Sequence, residues 1–365
     1  CALSEFILLP EIFMQTPILL SRWMKILHIA NFGFNKQGAH FYCTDRKISA
    51  GLTENGHFVY DFSFRDMARM GTIFKTKKLG ANWANKEILK IVNNLEPDLV
   101  LIGHSDLMSP NVLKEIKKQF PQTKIAFWYV DPLYLEQKLG FVREFSPYLD
   151  AIFCTTGGEY LEKLKQPHLK VAYMPNVGHR NVEVLKQFES AKIDKEFIFC
   201  GVVYKEPVRE KFLKDLADTL SENQVQYQYY GCFEQAGVYG KGYYKVLSEA
   251  RMGLNYSRKN DVTLYSSDRI VQLTGNGLLT FSPNIPDFNQ LYSDQEVVYF
   301  EDQNDLATKI KYYADHPTEA KKIAEAGWNK TRNSFNAKRI SQFMLEVTFD
   351  QPLSEAYEWS HEVYA

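Results

Sequence analysis

Ser266-Ser267-Asp268-Arg269-Ile270-Val271-Gln272-Leu273-Thr274-Gly275-Asn276-Gly277-Leu278-Leu279-Thr280-Phe281-Ser282-Pro283 is the stretch from which the organisation of this chain can be read. A polar turn enters a helix of about two turns, glycines stop it, and a short apolar strand closed by proline follows. The backbone N–H groups ahead of such a helix, and the positive end of its dipole, suit a phosphate or a polar sugar.

The same alternation extends outward in both directions. Downstream of residue 177, strands are predicted over 196–202, 226–231, 252–256, 278–281 and 297–299, with helices over 209–223, 243–250, 269–274, 304–315 and 317–335. Upstream, strands are predicted over 26–30, 99–103, 125–129 and 151–155, with helices over 82–95, 110–120 and 159–164. Short, continuously apolar strands alternating with helices indicate parallel sheets covered on both faces. The fold class is therefore α/β, with two doubly wound, Rossmann-like domains facing across a cleft. Ligands are expected at the carboxyl ends of the strands. The first domain is placed at 24–176 and the second at 177–336, with a final helical segment, 337–365, packing back toward the first. Residues 1–23 carry apolar runs broken by Glu5, Pro10, Glu11 and Pro17, which suits neither a membrane span nor a signal peptide. They are expected to be a leader, because Met24 runs straight into a first strand.

A chain of 365 residues has room for two such cores. Its formal net charge of −1 supplies no general attraction for nucleic acid, although it leaves room for a local phosphate-binding patch. The five cysteines are odd in number and have no C-x-x-C pair, which argues against a disulfide framework or a zinc site. A reducing, cytoplasmic setting follows.

Several segments, taken in order, resemble a known family. They are Phe127-Trp128-Tyr129-Val130-Asp131-Pro132, the strand 148–155, Tyr173-Met174-Pro175-Asn176, and Phe197-Ile198-Phe199-Cys200-Gly201 followed by Arg209. Tyr229-Tyr230-Gly231 and Ala250-Arg251-Met252-Gly253-Leu254-Asn255 complete the series. Together with 266–283 they resemble GT-B glycosyltransferases, closest to CgeB-like members of the glycosyl transferases group 1 superfamily, over roughly residues 24–347. The resemblance implies transfer of a sugar from a nucleotide-sugar donor to an acceptor hydroxyl, in bacterial surface-glycan synthesis (lipopolysaccharide, capsule or glycoprotein). It implies no bound metal and no cofactor, the nucleotide sugar being a substrate. The expected partners are that donor and a glycan, lipid-linked or protein acceptor, with peripheral association at the inner membrane left open. Family members of the retaining type carry a glutamate where this chain has Gln272, so retention and inversion both stay open. A sugar-nucleotide 2-epimerase, a polyol-phosphate transferase and a catalytically silent glycan-binding relative are the alternatives.

Within this frame, Arg269 and Arg209 are the leading ligands for the donor diphosphate, because guanidinium binds phosphate oxygens in pairs. Lys205 is a further candidate. Gly201 lets backbone approach the nucleotide, Tyr204 is positioned to stack on a base, and Gln272 can bond a sugar hydroxyl. Ser267 and Asp268 are expected to cap the helix, to touch ligand, or both. In the first domain, the turn holding Gly33, Lys36, Gly38 and His40 is expected at the cleft; it is not a dinucleotide fingerprint. Asp131 is the first choice as general base, with His104 and His40 as alternatives and Asp106 near them. No histidine pair has metal-ligand spacing, and His104-Ser105-Asp106 lacks the glycine-flanked elbow of hydrolases.

Overall fold

Leu99–Ile102, four apolar residues all buried, shows how the strands of this protein are made: a strand covered on both faces has no polar side to show. The computed structural model describes residues 23–364, so the leader expected over 1–23 lies, but for Trp23, outside the described residues. The first domain contributes strands β1 (Lys25–Ala30), β2 (Phe58–Ser63), β3 (Leu99–Ile102), β4 (Lys124–Tyr129), β5 (Ala151–Cys154) and β6 (Lys170–Tyr173). The second contributes β7 (Lys195–Cys200), β8 (Tyr227–Tyr230), β9 (Ala250–Leu254), β10 (Leu279–Pro283) and β11 (Val298–Phe300). A two-residue β12 (Val363–Tyr364) returns to the first sheet and pairs antiparallel with β6.

The larger sheet has the order β12-β6-β5-β4-β3-β1-β2 and the smaller β11-β10-β9-β7-β8, with every other pairing parallel. Three strands escaped the sequence pattern; β12 lies in the 337–365 segment expected to be helical, whose helix ends at Thr348. β2 is an edge strand with exposed Phe58 and Tyr60, and β6 is a four-residue run ahead of Met174-Pro175. The strand expected over 252–256 lies two residues earlier, because Lys195 pairs with Ala250 and Phe197 with Met252. Tyr256 consequently falls beyond the strand, where its carbonyl is available to side chains.

The chain crosses between the sheets twice, and the crossings are tied to each other. Gly178 N donates to the Phe335 carbonyl, and Ala337 N donates to the Gly178 carbonyl, both at 2.8 Å. Beside them Lys47 Nζ donates to Glu183 Oε1 at 2.5 Å and to the Val177 carbonyl at 3.1 Å. Glu183 Oε2 accepts from His179 N at 2.7 Å. This buried ion pair has its remaining polar atoms occupied, the condition under which burying charge is tolerable.

The helix Ala337–Thr348 lies on the helix Thr44–Glu54, and Gly51 makes the approach possible: a Cβ there would overlap the Ala337 carbonyl. Gly51→Ala is expected to cost about 1–3 kcal/mol through overpacking, read as a lower urea midpoint. An unchanged midpoint would mean that the two helices are not held this close.

Candidate active site in the interdomain cleft

In each sheet the strand order reverses once, between β1 and β3 and between β7 and β9, and it is there that a doubly wound sheet leaves a crevice at its carboxyl end. The second crevice is lined with positive charge. Arg269 Nε donates to the Cys200 carbonyl at 2.7 Å, and its Nη1 to Ser267 Oγ at 3.0 Å and the Tyr256 carbonyl at 3.3 Å. Arg209 Nη2 donates to that same Tyr256 carbonyl at 2.7 Å, while its Nη1 meets Glu206 Oε2 at 2.9 Å. Both guanidinium carbons lie 5.2 Å from the centre of the Phe199 ring. One carbonyl and one ring face thus hold two cations in close company.

Burial, and then the like charge of Arg209, push the Arg269 guanidinium below its ordinary value. It stays protonated, so the pair is electrostatically short of an anion. Gly201 is part of the arrangement: a Cβ there would stand 2.8 Å from Phe199 Cζ and 2.9 Å from Arg269 Nη2. A cavity of about 170 Å³ opens here, walled by Gly201, Gly231, Tyr230, Tyr239, Arg269 and Gln272.

The first crevice holds a histidine–carboxylate pair. His104 follows β3, and its Nδ1 lies 3.3 Å from both oxygens of Asp45, a buried residue in the first turn of the helix Thr44–Glu54. A carboxylate only accepts, so Nδ1 carries the proton and Nε2 is left for a substrate. Asp45 Oδ1 also accepts from Asn31 N at 2.9 Å. Burial alone would lower His104, but the hydrogen bond and charge of Asp45 outweigh it and raise the imidazole above its ordinary value. Burial would raise Asp45, yet its bond to His104 holds the carboxyl below the usual range.

The His104 ring stands edge-on to Trp128, with centroids 5.1 Å apart. Trp128 is fixed in turn by a chain of hydrogen bonds: Nε1 donates to His28 Nε2 (2.9 Å), His28 Nδ1 to Ser49 Oγ (2.7 Å), and Ser49 Oγ to Asp61 (2.6 Å). Burial pushes His28 down to about 4, so it stays neutral and keeps this direction. A cavity of about 410 Å³ lies in front of His104, bordered also by His40, Asp45, Asp131, Ser266 and Asp268. The two cavities share Tyr42, Tyr239 and Asp268 in their walls.

The sequence candidates fall into distinct groups. Gly201, Arg269, Gln272 and Asp268 line the smaller cavity, and His40, His104, Asp131, Ser267 and Asp268 the larger. Arg209 stands behind Arg269, buried, its Nε without a hydrogen-bond partner among the described residues. Tyr204 and Lys205 lie outside both cavities; Tyr204 is exposed, with Lys205 Nζ 5.2 Å from its ring centre. Gly33 and Gly38 adopt left-handed φ of 62° and 90°, and with exposed Lys36 they frame the turn without lining either cavity. That turn reaches the second domain at Ala39, whose carbonyl would stand 2.9 Å from a Cβ on Gly240. Asp106 faces away, paired with Arg65 at 2.7 Å and Lys77 at 3.4 Å.

Capping by Ser267 and Asp268 is corrected. Asp268 already has helical backbone angles, and no side chain caps the helix Arg269–Gly275. The Ser267 hydroxyl is used by Arg269, and the Asp268 carboxylate accepts from Gln272 Nε2 at 2.7 Å. Gln272 Oε1 accepts from Tyr243 at 2.9 Å, so both ends of its amide are engaged by protein. A glutamate at 272 would set two carboxylates against each other; the carboxylate at this cavity belongs to Asp268, one turn earlier. Asp131 is likewise engaged, by Lys138 Nζ at 2.5 Å and the Tyr129 hydroxyl at 3.3 Å. Asp45, Tyr239, Tyr243 and the Tyr256 carbonyl were not singled out from sequence. Only Asp45 had a local signal, an acid in the first turn of a helix.

Residues 206–346 match the family described as glycosyl transferase-like. No curated protein matches the chain. Among solved structures, sucrose-phosphate synthase from Thermosynechococcus elongatus superposes with a TM-score of 0.60 at 11% identity, covering 90% of this chain and 99% of that one. HepE from Anabaena, in complex with UDP and glucose, gives 0.54 at 12% over 90% and 100%. A putative UDP-N-acetylglucosamine 2-epimerase from Listeria monocytogenes gives 0.53 at 12% over 92% and 99%. At such identities these likenesses establish the fold, which is the GT-B architecture of two Rossmann-like domains. Residues 206–346 thus match a glycosyl transferase-like family within a chain that has the GT-B fold. The matches do not distinguish the CgeB-like subtype.

The His104–Asp45 pair has a pH signature. A raised histidine contributes stability that is fully present below its unfolded value of 6.5 and is lost as pH rises through the folded value. The depressed Asp45 contributes above its unfolded value of 3.8, and that contribution is lost as pH falls through its lower folded value. The stability difference between the protein and Asp45→Asn is therefore expected to be largest between these limits. By NMR titration, Asp45→Asn is expected to bring His104 down to or below its ordinary value, since burial then dominates. A midpoint that does not move would dissolve the pair.

Proposed function

We propose that this protein transfers a sugar from a nucleotide-sugar donor to an acceptor hydroxyl, with donor diphosphate at Arg269 and acceptor at His104. The observation that carries this is the meeting of two unlike cavities across Tyr42, Tyr239 and Asp268: one lined by a guanidinium, the other by a histidine held by a buried carboxylate. His104 Nε2 takes the acceptor proton as the new glycosidic bond forms, and Asp45 stabilises the resulting imidazolium. The bond to the diphosphate breaks in the same step, and the nucleoside diphosphate leaves with the electron pair. Arg269, with Arg209 behind it, offsets that charge without reorganising. A base on the acceptor face suits direct displacement and hence inversion at the anomeric carbon.

HepE holds UDP and glucose in its complex, which makes UDP-sugars the first donors to test. The reaction needs no cofactor beyond the donor. The four described cysteines are free thiols, which suits a reducing, cytoplasmic setting. A glycan, lipid-linked or protein acceptor in bacterial surface-glycan synthesis, in a CgeB-like context, completes the proposal.

Thermal-shift titration with UDP-, GDP-, CDP-, ADP- and dTDP-sugars is expected to give stabilisation by one nucleotide class, since a ligand that binds only the folded state raises its stability. Arg269→Ala is expected to abolish that shift. His104→Ala is expected to keep it and lower transfer by roughly 10²–10⁴-fold. An Arg269→Ala protein that binds as before would overturn the donor assignment. Turnover of donor with no second substrate would favour the epimerase instead.

A further inference from the structure

Between the helices Phe64–Met70 and Ala81–Leu95 the first domain puts several large apolar side chains into water. Ile73 is 96% exposed, Phe74 78%, Met70 74% and Leu79 66%. The segment is held at both ends. A Cβ on Gly71 would meet the Trp83 ring at 2.6 Å, and one on Gly80 would overlap the Ala68 carbonyl. It also has internal order: Lys75 N donates to the Thr72 carbonyl at 3.1 Å, Thr76 N to Thr72 Oγ1 at 3.2 Å, and Gly80 N to the Thr76 carbonyl at 3.3 Å. The tip is thus presented by a built turn, and contiguous apolar exposure of this kind marks an interaction site.

Charge identifies the partner. Residues 65–86 contain six cations (Arg65, Arg69, Lys75, Lys77, Lys78, Lys86) and one carboxylate, Asp66, in a chain whose net charge is −1. Asp66 is buried and already accepts from the Ser63 hydroxyl, Phe34 N and Arg69. Arg65 and Lys77 share Asp106, while among the described residues Lys75, Lys78 and Lys86 make no ion pair. Protein–protein interfaces are depleted in lysine, whereas apolar side chains flanked by lysines match the boundary between acyl chains and anionic headgroups.

We propose that the 70–80 turn docks this protein on an anionic lipid surface. Ile73 and Phe74 enter the acyl boundary, and Lys75, Lys77 and Lys78 meet the lipid phosphates. Among the described residues no helix is long and apolar enough to cross a membrane. Lys77 and Arg65 bind Asp106, two residues after His104, so the turn is tied to the loop that carries His104. The consequence, presentation of a lipid-linked acceptor to His104, rests on the transferase function above; the docking itself does not.

The test is co-sedimentation of the full chain with phosphatidylcholine vesicles made with and without phosphatidylglycerol. Binding is expected only with the anionic lipid and is expected to weaken with added salt. Ile73→Ser with Phe74→Ser is expected to cut vesicle affinity on the order of tenfold or more. Lys75→Gln with Lys78→Gln is expected to cut it roughly fivefold per lysine. The thermal shift with nucleotide sugars serves as the control and is expected to be unchanged in both variants, because these side chains are exposed and away from the arginines. No binding to anionic vesicles, or equal binding by the variants, overturns the proposal. So does a dimer in size exclusion that Ile73→Ser with Phe74→Ser dissolves while vesicles go unbound, since the turn would then belong to a second copy. Neither failure touches the donor assignment, which the nucleotide shift reads separately.

Discussion

A parallel sheet sends every crossover out at the same edge, and the direction of crossing reverses once in each domain. Between β1 and β3, and again between β7 and β9, no connection covers the strand ends, and both halves of the site are built there. His104 follows β3, Gly201 follows β7, and Tyr256 lies just beyond β9. The arginines, the histidine and the cavities before them are consequences of that one geometric rule, applied twice and turned face to face.

Facing the two crevices costs buried charge, and the molecule meets that cost in different ways at different depths. At the crossings Lys47 and Glu183 neutralise each other with their remaining polar atoms occupied, a structural solution. At the cleft the balance is left incomplete. Two guanidiniums share one carbonyl and one ring face, while Glu206 is divided between Arg209 and Arg258. Incomplete compensation of this kind marks candidate functional sites. The His104–Asp45 pair has the complementary character: it is satisfied at Nδ1 and open at Nε2.

Much of this was legible along the chain. The continuous apolar runs became inner strands, because a buried strand is recognisable from its own composition. Gly201, Arg209 and Arg269 stood out because the 197–209 and 266–283 segments carry their features within a few residues of one another. The failures share a cause as well. Asp45 lies 59 residues from His104, so nothing near either marks the pair. Asp131 looked free until Lys138 was found on its carboxylate. Ser267 looked like a cap until Arg269 took its hydroxyl. β2 and β6 needed their neighbours to be seen as strands at all.

The sequence by itself determined the alternation of strand and helix, hence two doubly wound domains, and it placed Gly201 at a strand end and Arg209 and Arg269 at the starts of helices. These depend on periodicity and on backbone freedom, which are properties of neighbouring residues. Only the tertiary structure decided which titratable groups meet, which carboxylates are engaged, which tyrosines wall the smaller cavity, and that an apolar, lysine-flanked turn is tied by Asp106 to the loop after His104. Those depend on distances between residues far apart in the chain. Such distances are set by sheet order and helix packing, and no local pattern encodes them.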